Sequence, residues 1–411
     1  MFVDADICGL KVGDEHPVRI MGVINLSQES FYRSSVVNID SILDKAHGMV
    51  DGGATILDIG ARSTWLLAKP VISREEEIQR LVPALDILKD NIDALISVDT
   101  MFADIAEKAL ELGADMINDV SGFKADERML DVLVEHGCPA VAMATEKIPG
   151  DPISMDAIMD SLAGIIRQAH DKGMDTSKLI LDPAIGKWVP EKIQIYDFET
   201  IDQFDRLKVF HKPLLAAISR KSCIDAVLHR PPEERLYGTL AATAIVVHKG
   251  AHIIRTHDVP QTMDVVKVAA AMRSRQSVVK ENGFEVSVLN IVDPEDAVRT
   301  MNEMGVTGIG SRIMKKKTVS RVLRISNITT TEALIIKQEI LARGGDAALE
   351  RNAVSHETEN TDILIMGTIL QLEKLAKKLE YQARNLPVIS RMILNTLQLD
   401  DNVEYRYLRE L

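Results

Sequence analysis

The sequence predicts a (β/α)8 barrel followed by a smaller α/β domain, and three observations carry that prediction. Short apolar or β-branched runs recur roughly every thirty residues: RIMGVI (19–24), ATILDIG (54–60), ALISVD (94–99), DMIND (115–119), PAVAM (139–143), LILD (179–182), LLAAIS (214–219) and HIIRTH (252–257). The segments between them carry helical periodicity, as where Ala106, Ala109 and Leu110 fall on one face. The strands are near-continuously apolar rather than alternating, which suits a parallel sheet covered by helices, and eight is the number that closes such a sheet into a barrel. A doubly wound open sheet is the alternative; the absence of a GxGxxG stretch after the first strand weighs against it.

Taken in order, residues 1–18 read as a small hairpin with turn signals at Gly9 and at Gly13-Asp14, placed to plug the barrel floor. The eight units follow. After Met272 the rhythm stops, and the polar stretch SRQSVVKENG reads as a linker, so the domains are expected at 1–282 and 283–411. The second contains FEVSVLNI, a helical PEDAVRTMNEMG, VSRVLRISNI, TTTEALIIKQEILARGGDAALER, TDILIMGT and a helix from about Leu370 to Tyr381, which together suggest an α/β sandwich. Gly344-Gly345 reads as a helix C-cap and turn rather than a phosphate loop, His356 as an exposed loop residue, and Lys315–Lys317 as a solvated turn.

Bulk properties narrow the function. A chain of 411 residues exceeds what one hydrophobic core usually organises. With 46% hydrophobic residues, a mean hydropathy of +0.02 and no long uninterrupted apolar run, neither a membrane span nor a signal peptide is expected, and the location expected is the cytoplasm. Cys8, Cys138 and Cys223 lie far apart without CxxC spacing, which argues against a disulfide framework or a zinc site. A net charge of −13 and a pI near 5.3 exclude nucleic acid as the main partner. Small-molecule substrates are expected instead, with a homodimer as the assembly.

In such a barrel, chemistry sits at the carboxyl ends of the strands. Those ends read Asn25, Asp58, Asp99, Asn118, Asp182, Ser219-Arg220-Lys221 and Arg255-His257-Asp258. The loops after the seventh and eighth strands, where phosphate commonly binds, supply Arg220, Lys221, Arg255 and His257, so an anionic ligand group is expected. Asp99, Asn118 and Asp182, on separate strands, could converge on a flat, donor-rich heterocycle. Each residue also has a plainer reading. Asp99 and Asp258 could cap helices, Asp58 before Gly60 reads as a turn residue ahead of a ligand role, and His257 could be a satisfied barrel histidine. Lys221 resists such a reading, because burying an unpaired ammonium is costly.

The stretches MGVINLSQESF, GGATILDIGARST, ISVDT, GADMINDVSG, LDPAIG, SRKS, RLYGTLAATA and GAHIIRTHDV, in this order over roughly residues 15–275, resemble the dihydropteroate synthase family of pterin-binding TIM-barrel enzymes. The resemblance implies condensation of 6-hydroxymethyl-7,8-dihydropterin diphosphate with an arylamine, diphosphate leaving. It implies that Asp99, Asn118, Asp182 and Lys221 grip the pterin, that Asn25, Arg255 and His257 hold the diphosphate, and that Asn25 helps place Mg2+. Lys221, Asn25, Arg255 and His257 become the catalytic set, with Phe31, Arg33, Arg220 and Ser222 on the arylamine side. Catalysis would then be leaving-group stabilisation and positioning, for which no strong nucleophile is needed.

The chain departs from the family pattern on the amine side. Gln28-Glu29 and Arg33 stand where the first loop usually carries Pro-Asp and Asp; Arg62 replaces a Glu and Trp65-Leu66-Leu67 an Arg-Pro-Gly; LDPAIGKWVP lacks Phe-Gly-Lys, and AMATEKIPGD lacks Met-His. A guanidinium at Arg33 suggests a further anion on the second substrate, such as a ribofuranosylaminobenzene phosphate of the methanopterin-type pathway, against 4-aminobenzoate as the simpler choice. A pterin-dependent methyltransferase, built on a similar barrel, and a barrel that binds pterin without turnover are the readings from other classes. The segment from KQEILARGGDAA to TDILIMGT resembles an accessory domain of some dihydropteroate synthases, with no chemistry implied.

Overall fold

The chain is described by a computed structural model over residues 3–27, 37–62, 72–273, 278–289, 291–354 and 358–401. It folds as two compact units, Met1–Ser287 and Val288–Glu410.

The first unit opens with an antiparallel hairpin, β1 (Asp4–Ile7) and β2 (Leu10–Gly13), turning through Cys8 and Gly9 at positive φ. Eight parallel strands follow: β3 (Arg19–Asn25), β4 (Ile56–Gly60), β5 (Leu95–Asp99), β6 (Met116–Asp119), β7 (Ala140–Met143), β8 (Leu179–Asp182), β9 (Leu215–Ala217) and β10 (Ile253–Thr256). Their order is β8-β7-β6-β5-β4-β3-β10-β9. A parallel bridge between Leu181 and Leu214, with Leu181 N–H donating to Pro213 O at 2.9 Å, joins the two ends and closes the barrel. Each strand leads into a helix, from Ile42–Asp51 after β3 to Val259–Met272 after β10.

The two faces of each strand divide the core, because successive side chains point to opposite sides. Leu57, Ile59, Ile96, Val98, Ile117, Leu179, Leu181 and Ile254 face the helices. Met21, Ile56, Met116, Val141, Ile180, Leu215 and Ile253 fill the lower barrel together with Ala5, Ile7 and Val12 of the hairpin, so the hairpin plugs the floor as its sequence suggests. Each such Ile or Leu contributes about 1.5–3 kcal/mol by leaving water. One layer higher on the same inward faces the residues turn polar: Asp58, Ser97, Asn118, Asp182 and Arg255.

A buried polar staple pins the plug to the barrel. His252, fully buried, accepts Leu214 N–H at Nδ1 (3.0 Å) and meets Asp14 Oδ1 through Nε2 (3.2 Å). Asp14 also accepts from Val3 N–H (3.0 Å) and from Arg273 (2.8 Å). Burial opposes ionisation of Asp14, but the His252 hydrogen bond and charge, the Val3 N–H and Arg273 outweigh it and hold the carboxyl down at about 2.

Residues 273–283, read as a linker, are structured at their far end. Of these, 274–277 lie outside the described residues, while β11 (Val278–Glu281) pairs antiparallel with β12 (Phe284–Ser287) across an Asn282-Gly283 turn. The unit boundary therefore falls after this hairpin, at Ser287, rather than inside it at 282.

The second unit is a three-stranded antiparallel sheet, ordered β13 (Ser320–Thr329), β15 (Asn360–Thr368), β14 (Asp346–Leu349). Helices Thr330–Leu341, Ile369–Leu379 and Leu386–Asp401 bury Ile336, Ile340, Leu372, Leu375, Leu379 and Leu386 against Ile363 and Ile365. Capping boxes start the first two helices at Thr329 and Thr368. Gly344, at φ +78, and Gly345 close the helix Thr330–Leu341 by donating to Leu341 O and Ile340 O, the C-cap read from sequence. Lys315–Lys317 end the helix Gly308–Thr318 rather than forming a turn, with Lys316 paired to Glu373 at 2.7 Å; cations at a helix C-terminus complement its dipole. His356 lies outside the described residues. Among the described residues no helix is long and apolar enough to cross a membrane.

Replacing Asp14 by Ala leaves His252 and Arg273 without their acceptor and should destabilise the first unit by about 2–4 kcal/mol at pH 7. The depressed carboxyl contributes stability above its unfolded value of 3.8, lost as pH falls toward about 2. Thermal unfolding of the wild-type and Asp14→Ala chains should therefore differ at neutral pH and converge toward pH 2.

Candidate functional site

The inward polar layer assembles around Arg255 on β10. Its Nε donates to Asp58 Oδ2 at 2.7 Å and its Nη2 to Asp99 Oδ2 at 2.9 Å. Asp58 further accepts from Ser97 Oγ (2.6 Å) and Asn118 Nδ2 (3.0 Å). Burial disfavours the guanidinium charge, yet Asp58 and Asp99 more than offset it and hold the Arg255 pKa above its ordinary value. Asp58 is thus no turn residue: it lies inside β4, fully buried, because the two-residue period places it beside Ser97 on the inward face.

Asp99 and Asn118 are register partners at the ends of β5 and β6. Asp99 caps no helix; the helix Ala103–Glu111 starts at Phe102, whose N–H reaches Thr100 Oγ1. Asp99 Oδ1 is buried and has no hydrogen-bond partner among the described residues. Burial pushes the Asp99 carboxyl up to about 7 against the pull of Arg255, with Asp58 adding to the rise. Asp182, ending β8, accepts Ala184 N–H at 2.8 Å; burial raises its pKa against the opposing charge of Lys221.

Lys221 precedes the helix Ser222–Leu228, donates to Ile185 O and stands 5.2 Å from the centre of the Trp188 ring. Burial lowers its pKa, opposed by Asp182 and Asp197. Ser222 is the exposed first residue of that helix. His257 Nδ1 lies 2.9 Å from Ser219 Oγ, which also accepts the His257 N–H at 3.3 Å. Burial, then Arg255, press the imidazole down to about 3, so it is neutral at pH 7. Asn25 ends β3, its Oδ1 accepting Ser27 N–H (3.0 Å) and Oγ–H (2.9 Å).

Arg220 corrects the sequence reading. Rather than facing an anionic ligand, it adopts φ +55 and is buried; Nε and Nη2 donate to the Asp258 carboxylate (2.8 and 2.7 Å) and Nη1 to Pro232 O and Glu233 O. Asp258 in turn gives the helix Val259–Met272 no side-chain cap. The pair staples the ends of the seventh and eighth barrel units. Phe31, Arg33 and Trp65-Leu66-Leu67 lie outside the described residues.

Sequence reasoning missed two buried groups. Glu77, in the helix Arg74–Leu88, accepts from Thr100 Oγ1 (2.9 Å) and pairs with Arg62, which with Arg74 flanks the Phe102 ring at 5.1 and 4.1 Å. Lys192 is buried in the loop after β8. Neither stands at a strand end and no spacing marks them, although an Arg at position 62 in place of the family's Glu is a hint that a carboxylate lies nearby.

The comparisons with known proteins agree with this geometry. A family model described as "Pterin binding enzyme" matches residues 21–257, spanning all eight barrel strands but for the first two residues of β3. The dihydropteroate synthase of Clostridium beijerinckii is 36% identical over 254 residues, which is 61% of this chain and 92% of that protein. The chain belongs to the dihydropteroate synthase family of pterin-binding enzymes. A Coxiella burnetii dihydropteroate synthase solved in complex with pteroic acid superposes with a TM-score of 0.59 at 31% identity, covering 66% of this chain and 98% of its own. A Yersinia pestis family member in complex with a sulfonamide drug gives 0.59 at 30% identity, over 66% of this chain and 99% of its own. The part of the chain left uncovered by these family members is about the size of the second unit.

The unpartnered Asp99 oxygen is a stability cost carried by the site. A carboxyl raised from 3.8 to about 7 destabilises the fold above pH 7, and that cost shrinks as pH falls toward 4. Asp99→Asn, which leaves the Arg255–Asp58 pair neutral, should raise the melting temperature by about 2–4 °C at pH 8, with the gain disappearing near pH 4 in a calorimetric series.

Proposed function

We propose that this chain is a dihydropteroate synthase, condensing 6-hydroxymethyl-7,8-dihydropterin diphosphate with 4-aminobenzoate to give 7,8-dihydropteroate and diphosphate. The observation that carries the reading is the buried Asp99 oxygen, unpartnered among the described residues, on the strand that pairs with Asn118, with Asp182 at the end of β8 and Lys221 at the start of the helix Ser222–Leu228 completing the same barrel mouth. Ionised, Asp99 offers an acceptor where the paired N–H groups of a pterin would sit; the Asn118 amide and Lys221 ammonium complete a polar frame for its carbonyl and ring nitrogens.

In this reading the arylamine nitrogen attacks the 6-methylene carbon as its C–O bond to the diphosphate breaks, and the amine proton passes to solvent or to the departing anion. The protein's task is to position the pterin and stabilise the leaving group. Arg255 commits Nε and Nη2 to the acidic pair, which leaves the Nη1 edge for an oxygen of the diphosphate. The neutral His257 offers one ring N–H to the same anion. Phe31, Arg33 and Ser222 belong to the arylamine side.

Mg2+ suits this site as a partner of the substrate. The Asn25 carboxamide oxygen, at the end of β3, would be its protein ligand on giving up the Ser27 Oγ–H it accepts here, with diphosphate and water supplying the rest. The ion, when bound, neutralises charge on the leaving diphosphate.

All three cysteines are free, which suits a reducing cytoplasm. For a homodimer, Tyr237 and Ile245 on one helix and Val268 and Met272 on the next expose apolar surface, Tyr237 at 82%.

The purified chain with Mg2+, pterin diphosphate and 4-aminobenzoate should release diphosphate and form dihydropteroate in equal amounts, and Arg255→Ala should lower kcat/KM by roughly 10²-fold or more. Offering the ribofuranosylaminobenzene phosphate in parallel tests the amine: a preference for it that disappears in Arg33→Asp would assign the phosphorylated substrate. Pterin binding without diphosphate release would move the chain toward methyl transfer.

A further inference from the structure

The loop after β8 contains a second buried lysine that the site above does not use. Lys192 is 0% exposed, and its Nζ donates to Ala184 O at 2.7 Å. Asp197, also buried, accepts Gly186 N–H at 2.7 Å and bears on the Lys192 charge. From the barrel side Lys221 donates to Ile185 O, and Asp182 accepts Ala184 N–H. The three residues Ala184–Gly186 are thus held by Lys192, Asp197, Lys221 and Asp182 together.

The backbone needs that hold. Ala184 sits at φ +61, a left-handed conformation that is unfavourable for a residue with a Cβ. Gly186, at φ +122, packs so closely that a Cβ there would lie 2.8 Å from Lys221 Cδ. Trp188 follows, with its buried Nε1 lacking a partner among the described residues.

An enclosed ammonium is expensive. Burial draws Lys192 down to about 8, with Asp197 and Asp182 opposing and Lys221 adding to the fall, and Cys223 is the remaining titratable neighbour. Methionine would fill the same length without that cost, and what it would lack is the hydrogen bond to Ala184 O.

We infer that Lys192 is a positioning residue of the pterin site: through Ala184 O, beside the Asp197 carboxylate that holds Gly186, it sets the 184–186 backbone that anchors Asp182 and Lys221, and so fixes the spacing at which they meet the heterocycle. It touches no substrate. The inference rests on the reading that this barrel mouth binds a pterin, and it adds a residue to that reading.

Calorimetric titration of the full chain with 6-hydroxymethylpterin, alongside steady-state kinetics with pterin diphosphate and 4-aminobenzoate, tests it. Lys192→Met should weaken pterin binding and raise KM for the pterin diphosphate roughly tenfold, while KM for the amine changes by less than about twofold. A folded Lys192→Met with a lower Tm but unchanged pterin affinity and KM makes the lysine merely structural and overturns the inference. If that variant does not fold, the Lys192→Met/Asp197→Asn chain, with both charges removed and an amide oxygen retained for Gly186, is measured in the same way; unchanged affinity there also overturns it. Failure of the wild-type chain to bind the pterin would remove the functional reading itself, a result visible before any variant is made.

Discussion

The mouth of the barrel is organised by one half-buried guanidinium. Arg255 lies 197 residues from Asp58 and 156 from Asp99 in sequence, and it meets both only because the last strand returns beside the first. A buried cation needs a counterion to offset its desolvation, and here it has two. The cost of that arrangement falls on Asp99, which has an oxygen left unpaired among the described residues and a carboxyl pushed up to about 7. Ionised, that oxygen is an acceptor that a bound donor can satisfy. A heterocycle with adjacent N–H groups relieves that imbalance, so affinity for such a ligand and the stability cost in its absence have the same origin.

This arrangement needs a dry base. The apolar layer of Met21, Ile56, Met116, Ile180 and Ile253, closed from below by Ala5, Ile7 and Val12, excludes water from the underside of Asp58 and Ser97. Without the plug, solvent would screen the charges that set the Asp99 and His257 protonation states. The Asp14–His252–Arg273 staple, far from the chemistry, thus supports the site through its dielectric surroundings.

Much of this is legible in the sequence because strand period and strand count are local signals. The eight apolar runs, the polar strand ends and the N-terminal hairpin all stand where periodicity puts them. What fails is partner choice. Asp58 reads as a turn residue because Gly60 follows it, although the two-residue period shared with Ser97 and Asp99 already points it inward. Arg220 and Arg255 look equivalent as strand-end cations, but one turns through a left-handed residue toward Asp258 and the other stays on the inward face. Lys192 and Glu77 carry no pattern at all, since their partners are a backbone carbonyl and residues from another element.

The neutral state of His257 constrains any chemistry at this mouth. Burial and the Arg255 charge both oppose protonation of its ring, and Ser219 stands at Nδ1, so protonating it would place a second cation beside the first. Asp258, whose charge opposes that shift, is already paired with Arg220. An imidazole so placed is held as a directional N–H donor at neutral pH rather than as a reservoir of positive charge. In the proposed reaction the side-chain charge that meets a departing diphosphate beside the metal is then that of Arg255, whose own proton is secured by Asp58 and Asp99. The acidic pair competes with the substrate for Arg255, and the same pair keeps that residue charged at the bottom of the mouth.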